Sequence, residues 1–345
     1  MLTLTNLKTE GYERVCAFSD ESAKLRGFVA IHSTARGPAA GGCRVWHYAK
    51  EEDALADAKR LARGMSYKNA TADLPLGGAK AVILAPELAN AAERETLFQA
   101  FGAMVDQLGG QYVTAEDVGT SVADMKAAAT KTKYVSGITS GDPSPWTAKG
   151  VFLSLQVAVK ERLGRSDLHG LTVAVQGVGH VGHALCGFLH EAGAKLIVAD
   201  TNSTAIEKAV KDFGATAATV DEIVGVACDV YAPCALGLAI NPQTLPRLKA
   251  PVVCGAANNQ LASDEMGFQM QKQNILYAPD YVANGGGIIS VASEYLNWSE
   301  KEVAPRVAAI ADTMANVFAQ STKSGRAPHV VADELAEARI RTAQA

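Results

Sequence analysis

The sequence predicts an α/β protein of two domains, the second built on a doubly wound parallel sheet. Three observations carry this. The chain has 345 residues, of which 48% are hydrophobic, enough for two cores rather than one. Short apolar runs alternate with segments of helical periodicity, the pattern of strands joined by helices. One strand–helix junction, at residues 171–182, is a glycine loop.

In order along the chain, 27–33 and 43–48 read as strands. Residues 51–69 read as an amphipathic helix with Leu55, Ala58, Leu61, Ala62 and Met65 on its apolar face. Residues 80–84 form a strand, 91–108 a helix and 111–114 a strand. Ser121 is placed to cap a helix over 122–129. The stretch GDPSPW (Gly141 to Trp146) carries two prolines and reads as a stiff, non-helical connector. It divides a first domain, 1–145, from a second, 146–330. Beyond it come a helix (147–163), a strand (171–176), a helix (181–192), a strand (195–200) and a helix capped by Ser203. Short strands follow near 229–232, 252–255 and 275–278. The tail from about Val291 is helical to near Ile340.

Composition narrows the function. The net charge is −4 with 20% charged residues, so no basic surface for nucleic acid is expected. Apolar runs reach only about five to eight residues, too short to span a bilayer. The start, MLTLTNLKTEGYERV, lacks a basic region followed by an apolar one, so a cytoplasmic protein is expected. Six cysteines form no C-x-x-C pair and read as buried, reduced thiols. With seven scattered histidines, they suggest no metal site.

The junction reads LTVAVQGVGHVG. Gly177, Val178, Gly179, His180, Val181 and Gly182 follow an apolar strand and open a helix, and Asp200 closes the next strand, 18 residues after Gly182. That context makes a dinucleotide site of Rossmann type. Gly177 makes the turn, Gly179 lets a pyrophosphate approach the helix N-terminus, and Gly182 allows close packing. Asp200 would accept from an adenosine ribose and repel a 2′-phosphate, which favours NAD. His180 reads as a solvent-facing loop residue.

DLPLGGAKAVI (Asp73 to Ile83) sets Lys80 before a buried strand. A lysine is rarely buried without a partner, and one held partly desolvated can serve as a base. Gly77 and Gly78 would clear space for a substrate against it. Lys68, in GMSYKNA, suits a helix C-terminus or a second cation beside Lys80. TAEDVGT places Glu116 and Asp117 at a strand end, where α/β sheets bind ligands. Asp117 is then an exposed loop carboxylate or a proton donor. Two lysines, an acid and a nicotinamide site fit oxidation of an amino acid better than of a 2-hydroxy acid, for which no His/Arg pair stands out.

These motifs, with GPAAGGCR, GDPSPWTAKGV, DVYAPCALG, GAANNQL and YAPDYVANGGG, resemble the Glu/Leu/Phe/Val dehydrogenase family, and within it the leucine-type members. The likeness runs from about Val29 to Ile340. It implies an N-terminal α/β domain for substrate and oligomerisation, a Rossmann NAD domain, an active-site cleft between them, and a last helix (about 331–345) packed back on the first domain. It implies NAD-dependent, reversible deamination of apolar L-amino acids to 2-oxo acids and ammonia, without metal, by a homo-oligomer: an octamer, or a dimer or tetramer. By resemblance Lys68 holds the substrate carboxylate, Lys80 is the catalytic base and Asp117 the acid working with it. Gly41, Gly42 and Met65 border the substrate, and Ala40, Ala115, Ile288 and Val291 form the side-chain pocket. Asn258 and Asn284 lie near the nicotinamide and the substrate amino group, Thr147 near the nicotinamide amide, and Cys234 and Ala235 along the cofactor. Ala40 stands where many leucine enzymes have a larger residue, so a phenylalanine or tryptophan enzyme is the alternative. A non-catalytic NAD-binding protein is the remote one.

Overall fold

Residues 1–343 are described by the computed structural model, and the chain divides into two units. Unit 1 comprises Met1–Gly141, Val291–Ser299 and Ala336–Ala345, and unit 2 comprises Asp142–Ser290 and Glu300–Leu335. The last two residues of the expected C-terminal segment 331–345 lie outside the described residues.

Unit 1 holds strands β1 (Thr3–Asn6), β2 (Arg14–Asp20), β3 (Leu25–Ser33), β4 (Ala39–Ala40), β5 (Cys43–Trp46), β6 (Gly77–Leu84) and β7 (Tyr112–Val113), with helices α1 (Glu51–Thr71), α2 (Ala91–Gln107) and α3 (Val122–Ala129). The sheet order is β1-β2-β3-β6-β4-β7, with β5 also on β6. Its first half is an antiparallel meander of β1, β2 and β3 with β6, not the alternation of strand and helix expected there. β4 and β5 run parallel to β6 as one strand interrupted at Gly41 and Gly42.

β6 is the centre of this unit. Ala79, Ala81 and Ile83 face a core with Phe98, Phe101 and Met104 of α2. Val82 faces the other way, onto Ala54, Ala58 and Ala62 of α1. Alternation along the strand therefore sets Gly78 and Lys80 on the α1 side. The buried face of α1 is a stripe of small residues: Ala54, Ala58, Ala62 and Ser66 are each at most 1% exposed. This corrects the expected face, because Leu55, Leu61 and Met65 stay only half-buried. Small side chains at i, i+4 spacing let the helix axis approach the sheet closely. The glycines serve the same approach. A methyl at Gly78 would lie 2.0 Å from Ser66 N, and one at Gly77 1.9 Å from Ser33 O. The space expected for a substrate at these glycines is filled by protein backbone.

In unit 1, Val291 O accepts from Ser136 Oγ at 2.6 Å, and Glu294 accepts from the backbone amides of Ile138, Thr139 and Ser140. These bonds account for the membership of a segment expected in the second domain. Arg339 Nη1 donates to Ala70 O and Thr71 O at 2.9 and 2.8 Å, satisfying carbonyls at the end of α1.

Unit 2 holds β8 (Thr172–Gln176), β9 (Lys195–Ala199), β10 (Thr216–Ala217), β11 (Val230–Pro233), β12 (Val252–Val253) and β13 (Leu276–Tyr277). The order β10-β9-β8-β11-β12-β13 is parallel throughout. Counted within the unit it is 3-2-1-4-5-6, the doubly wound order, with its switch point between β8 and β11. Helix α4 (Ser144–Leu163) precedes β8, and α5 (His180–Glu191), α6 (Ser203–Phe213), α7 (Asp264–Lys272) and α8 (Asp280–Ala283) follow β8, β9, β12 and β13. The tail is α9 (Gly286–Leu296), α10 (Glu300–Ala308), α11 (Ile310–Ser324) and α12 (Pro328–Thr342). Apolar cores cover both faces of the sheet. Two boundaries differ from expectation. α4 begins at Ser144, inside the supposed connector, because Pro145 sits in the first turn, where its missing N–H costs nothing. The cap of α6 is Asn202, which accepts from Thr204 N at 3.0 Å. Ser121 caps α3 as expected, in a capping box with Asp124. Among the described residues no helix is long and apolar enough to cross a membrane.

Gly78→Ala should lower stability by about 1–3 kcal/mol or more, since backbone rather than a flexible side chain must move. The urea midpoint of the variant, at unchanged m-value, measures this.

Candidate active site

In unit 1 the site grows from the interruption of the β4–β5 strand. Gly41 N donates to Val113 O at 3.1 Å and Cys43 N to Ala115 O at 2.9 Å, so the chain continuing from β7 runs beside Gly42. A methyl at Gly42 would lie 2.8 Å from Asp117 Cβ. The Asp117 loop is closed by Thr120, whose Oγ1 accepts from Asp117 N at 2.8 Å and lies 3.2 Å from Cys43 O. On α2, Arg94 donates to Gly119 O at 2.7 Å and grips Asp124 with both Nε and Nη2.

Lys80 is 4% exposed, and its Nζ lies 2.9 Å from Asp117 Oδ2. Arg44 Nε donates to the same oxygen at 3.0 Å. Burial pushes the Asp117 carboxyl up, but the charges of Lys80 and Arg44 and their hydrogen bonds outweigh it and hold the group below the usual aspartate range. Arg44 was not singled out from sequence, because an arginine on a short strand carries no periodicity of its own. Asn69 Nδ2 donates to Gly77 O at 2.6 Å and lies 3.4 Å from Ala40 O. Met65 packs at Gly41, where a methyl would lie 3.2 Å from its Cγ. Ala115 and Val291 share a neighbour in Gly137, a residue the sequence reading missed. Lys68 lies in the last turn of α1, partly buried.

In unit 2 the glycine loop sits at the switch point. Gly177 has φ +94°, and a methyl there would lie 2.7 Å from Ala235 N, so the turn admits no side chain. A methyl at Gly182 would lie 1.9 Å from Gly177 O, whereas Gly179 faces open space. Val178 is buried and Val181 half-buried, and His180 is 87% exposed at its side chain. Asp200 Oδ2 accepts from Val178 N at 2.7 Å, and Oδ1 from Asn202 N at 2.9 Å. A carboxylate accepts about four hydrogen bonds, so capacity remains for ribose hydroxyls. A cavity of about 350 Å³ opens beside it, lined by Gly177, Asp200, Thr201, Ala235, Leu236 and Leu238. Leu236 and Leu238, 89% and 55% exposed, were not predicted. Cys234 N binds Gln176 O at 2.7 Å, joining the two switch-point strands. Open backbone at Gly179, an acid with spare acceptors and an adjoining cavity fit a dinucleotide. Asn284 Nδ2 donates to Asn258 Oδ1 at 2.9 Å, and Asn284 Oδ1 is a buried acceptor without a partner. Thr147 Oγ1 donates to Pro143 O at 3.1 Å, and Ile288 is half-buried on α9.

A dinucleotide-type glycine loop in one unit and a buried lysine–carboxylate pair in the other define, in class, an amino-acid dehydrogenase. The profile of the Glu/Leu/Phe/Val dehydrogenase dimerisation domain matches residues 13–134, and that of glutamate/leucine/phenylalanine/valine dehydrogenase matches 140–210 and 199–345. The chain belongs to this family. It is 48% identical over 339 residues to a leucine dehydrogenase of Bacillus cereus, spanning 97% of this chain and 92% of that one. A leucine dehydrogenase of Geobacillus stearothermophilus is 47% identical, with 97% and 92% covered. The crystal structure of L-tryptophan dehydrogenase from Nostoc punctiforme superposes with TM-score 0.87 at 39% identity, with 97% of each chain covered.

Asp117 makes stability depend on pH. Its folded pKa is depressed, so its contribution is complete above the unfolded value, about 3.9, and is lost as pH falls through the lower folded value. Asp117→Asn should be less stable than the parent at neutral pH, with the difference narrowing as pH drops below about 4. Urea titrations between neutral and strongly acid pH measure the two curves.

Proposed function

We propose that the chain catalyses NAD-dependent, reversible oxidative deamination of apolar L-amino acids (leucine, isoleucine and valine) to 2-oxo acids and ammonia. The observation that carries this reading is the buried Lys80, held by Asp117 beside the glycine break at Gly41 and Gly42. The dinucleotide, when bound, supplies the hydride acceptor. Gly177, Gly179 and the N-terminus of α5 hold its pyrophosphate, and Asp200 its adenosine ribose, which excludes a 2′-phosphate by like charge.

In deamination, Lys68 holds the substrate carboxylate and Asp117 takes a proton from the substrate ammonium. Hydride leaves Cα, giving an iminium. Water adds to that carbon as Lys80, in its neutral amine form, takes one of its protons, and the carbinolamine collapses to the 2-oxo acid as its C–N bond breaks and its hydroxyl proton passes to solvent. Ammonia leaves with a proton returned through Asp117. Ala40, Met65, Ala115, Ile288 and Val291 surround the side chain, while Thr147, Asn258 and Asn284 orient the nicotinamide and the substrate amino group. The dimerisation-domain match over 13–134 supports a homo-oligomer as the working form.

Lys80→Ala should cut turnover by about 10²–10⁴-fold, the usual contribution of a positioned acid or base, while NADH still binds by fluorescence titration. Turnover near that of the parent overturns the assignment. Comparing kcat/KM for leucine, valine, phenylalanine and tryptophan tests the substrate. Leucine and valine should lead. With Ala40 small, the margin over the aromatic pair should stay within about 1–3 kcal/mol per methylene-sized difference, and an aromatic preference would replace the leucine reading.

A further inference from the structure

We propose that Arg44 is a positioning residue for this reaction, holding the Asp117 carboxylate against Lys80 from a mount made by Asp57, Tyr48 and Arg60. The inference rests on the reading that Lys80 and Asp117 carry out the chemistry.

Arg44 has two different jobs at its two ends. Nε donates to Asp117 Oδ2 at 3.0 Å, and Nη1 donates to Asp57 Oδ2 at 3.0 Å. Asp57, on α1, is itself held from two sides. Tyr48 OH donates to Oδ2 at 2.6 Å and Arg60 Nη2 to Oδ1 at 2.7 Å. Arg44, Asp57 and Asp117 have side chains 21%, 15% and 23% exposed, so this is not a solvated surface pair of negligible weight. A planar guanidinium gripped at both ends cannot swing away, which a lysine in its place could do.

The consequence lies in how the Asp117 oxygens are divided. Lys80 and Arg44 converge on Oδ2. Among the described residues Oδ1 receives no hydrogen bond from a side chain or backbone group. Arg44 thereby leaves Oδ1 as the oxygen that exchanges a proton with the substrate amino group. The other titratable or charged groups around Asp117 are the Cys43 thiol on β5, the buried Tyr112 on β7, Glu116 beside it, Asp124 on α3 and Arg94 on α2. None of them hydrogen-bonds its carboxylate. Burial pushes Asp117 up while Lys80 and Arg44 hold it down, so loss of Arg44 removes one of the two cations that contact it among the described residues. A proton-accepting Asp117 is then available only at higher pH.

The test is kcat and KM against pH, on the amino acid turned over fastest, for the full-length enzyme and for Arg44→Met, Arg44→Lys, Asp57→Asn and Asp117→Asn. Arg44→Met should lose about tenfold or more of turnover near neutral pH, in line with small misplacements of catalytic groups. Its low-pH limb should move to higher pH, with the substrate KM changed far less than kcat. Arg44→Lys should recover part of that displacement, and Asp57→Asn should show a smaller displacement in the same direction. A limb in Arg44→Met that coincides with the parent, or an Arg44→Lys no better than Arg44→Met, overturns the proposal. Should Arg44→Met fail to fold, an unshifted limb in Asp57→Asn overturns it instead. Parent-like turnover in Asp117→Asn overturns the underlying reading of Asp117. Loss of turnover there, with an unshifted Arg44→Met, overturns only the role of Arg44.

Discussion

The ion pair between Lys80 and Asp117 is the constraint around which unit 1 is organised. An ammonium group 4% exposed is costly to desolvate unless an opposite charge meets it with good geometry. Asp117 supplies that charge at 2.9 Å, but it comes from a loop more than thirty residues away in sequence, so groups packed around the loop must aim it. The structure aims it repeatedly. Thr120 closes the loop on itself, Arg94 clamps its far end at Gly119, and Arg44 fixes the carboxylate. Gly42 is bare because a methyl there would lie 2.8 Å from Asp117 Cβ.

The second unit is constrained by backbone instead of side-chain charge. Its loop must present N–H groups to a ligand, so it cannot spend them all internally. One it does spend, Val178 N, goes to Asp200. With Gly177 N, which donates to Ala199 O at 2.7 Å, that bond ties the glycine loop to the end of the neighbouring strand beside the cavity. The loop and the acid are therefore one device, which is why their spacing was readable in sequence at all.

Legibility followed range. Elements made by local rules came through: the helix of α2, the Ser121 cap of α3 and the strand–glycine–helix junction all depend on residues a few positions apart. The meander of β1 and β2 did not, since TLTN is polar and strand pairing is set by partners. The face of α1 was misread for a packing reason. Large side chains at Leu55, Leu61 and Met65 carried the hydrophobic pattern, but the sheet accepts the helix only along its alanines. Lys80 and Asp117, which the structure pairs at 2.9 Å, lie in motifs that drew attention to them. Arg44 and Asp57 were not recoverable, because their meaning is a pair of 3.0 Å bonds, one from β5 to α1 and one from β5 to the Asp117 loop, that no spacing announces.

The alanine stripe and the ion pair are linked. Tight docking of α1 on β6 brings Asp57 to within hydrogen-bond reach of Arg44, and a bulkier helix face would hold it away. The glycine at position 78 then has an indirect chemical role. It opens no room for a ligand, but it lets the helix come close enough to anchor the cation that steadies Asp117. Packing of uncharged atoms on one side of the sheet so determines the position of a charge on its edge. A cluster with Lys80, Arg44 and Arg60 on one side of the balance and Asp117 and Asp57 on the other retains one net positive charge.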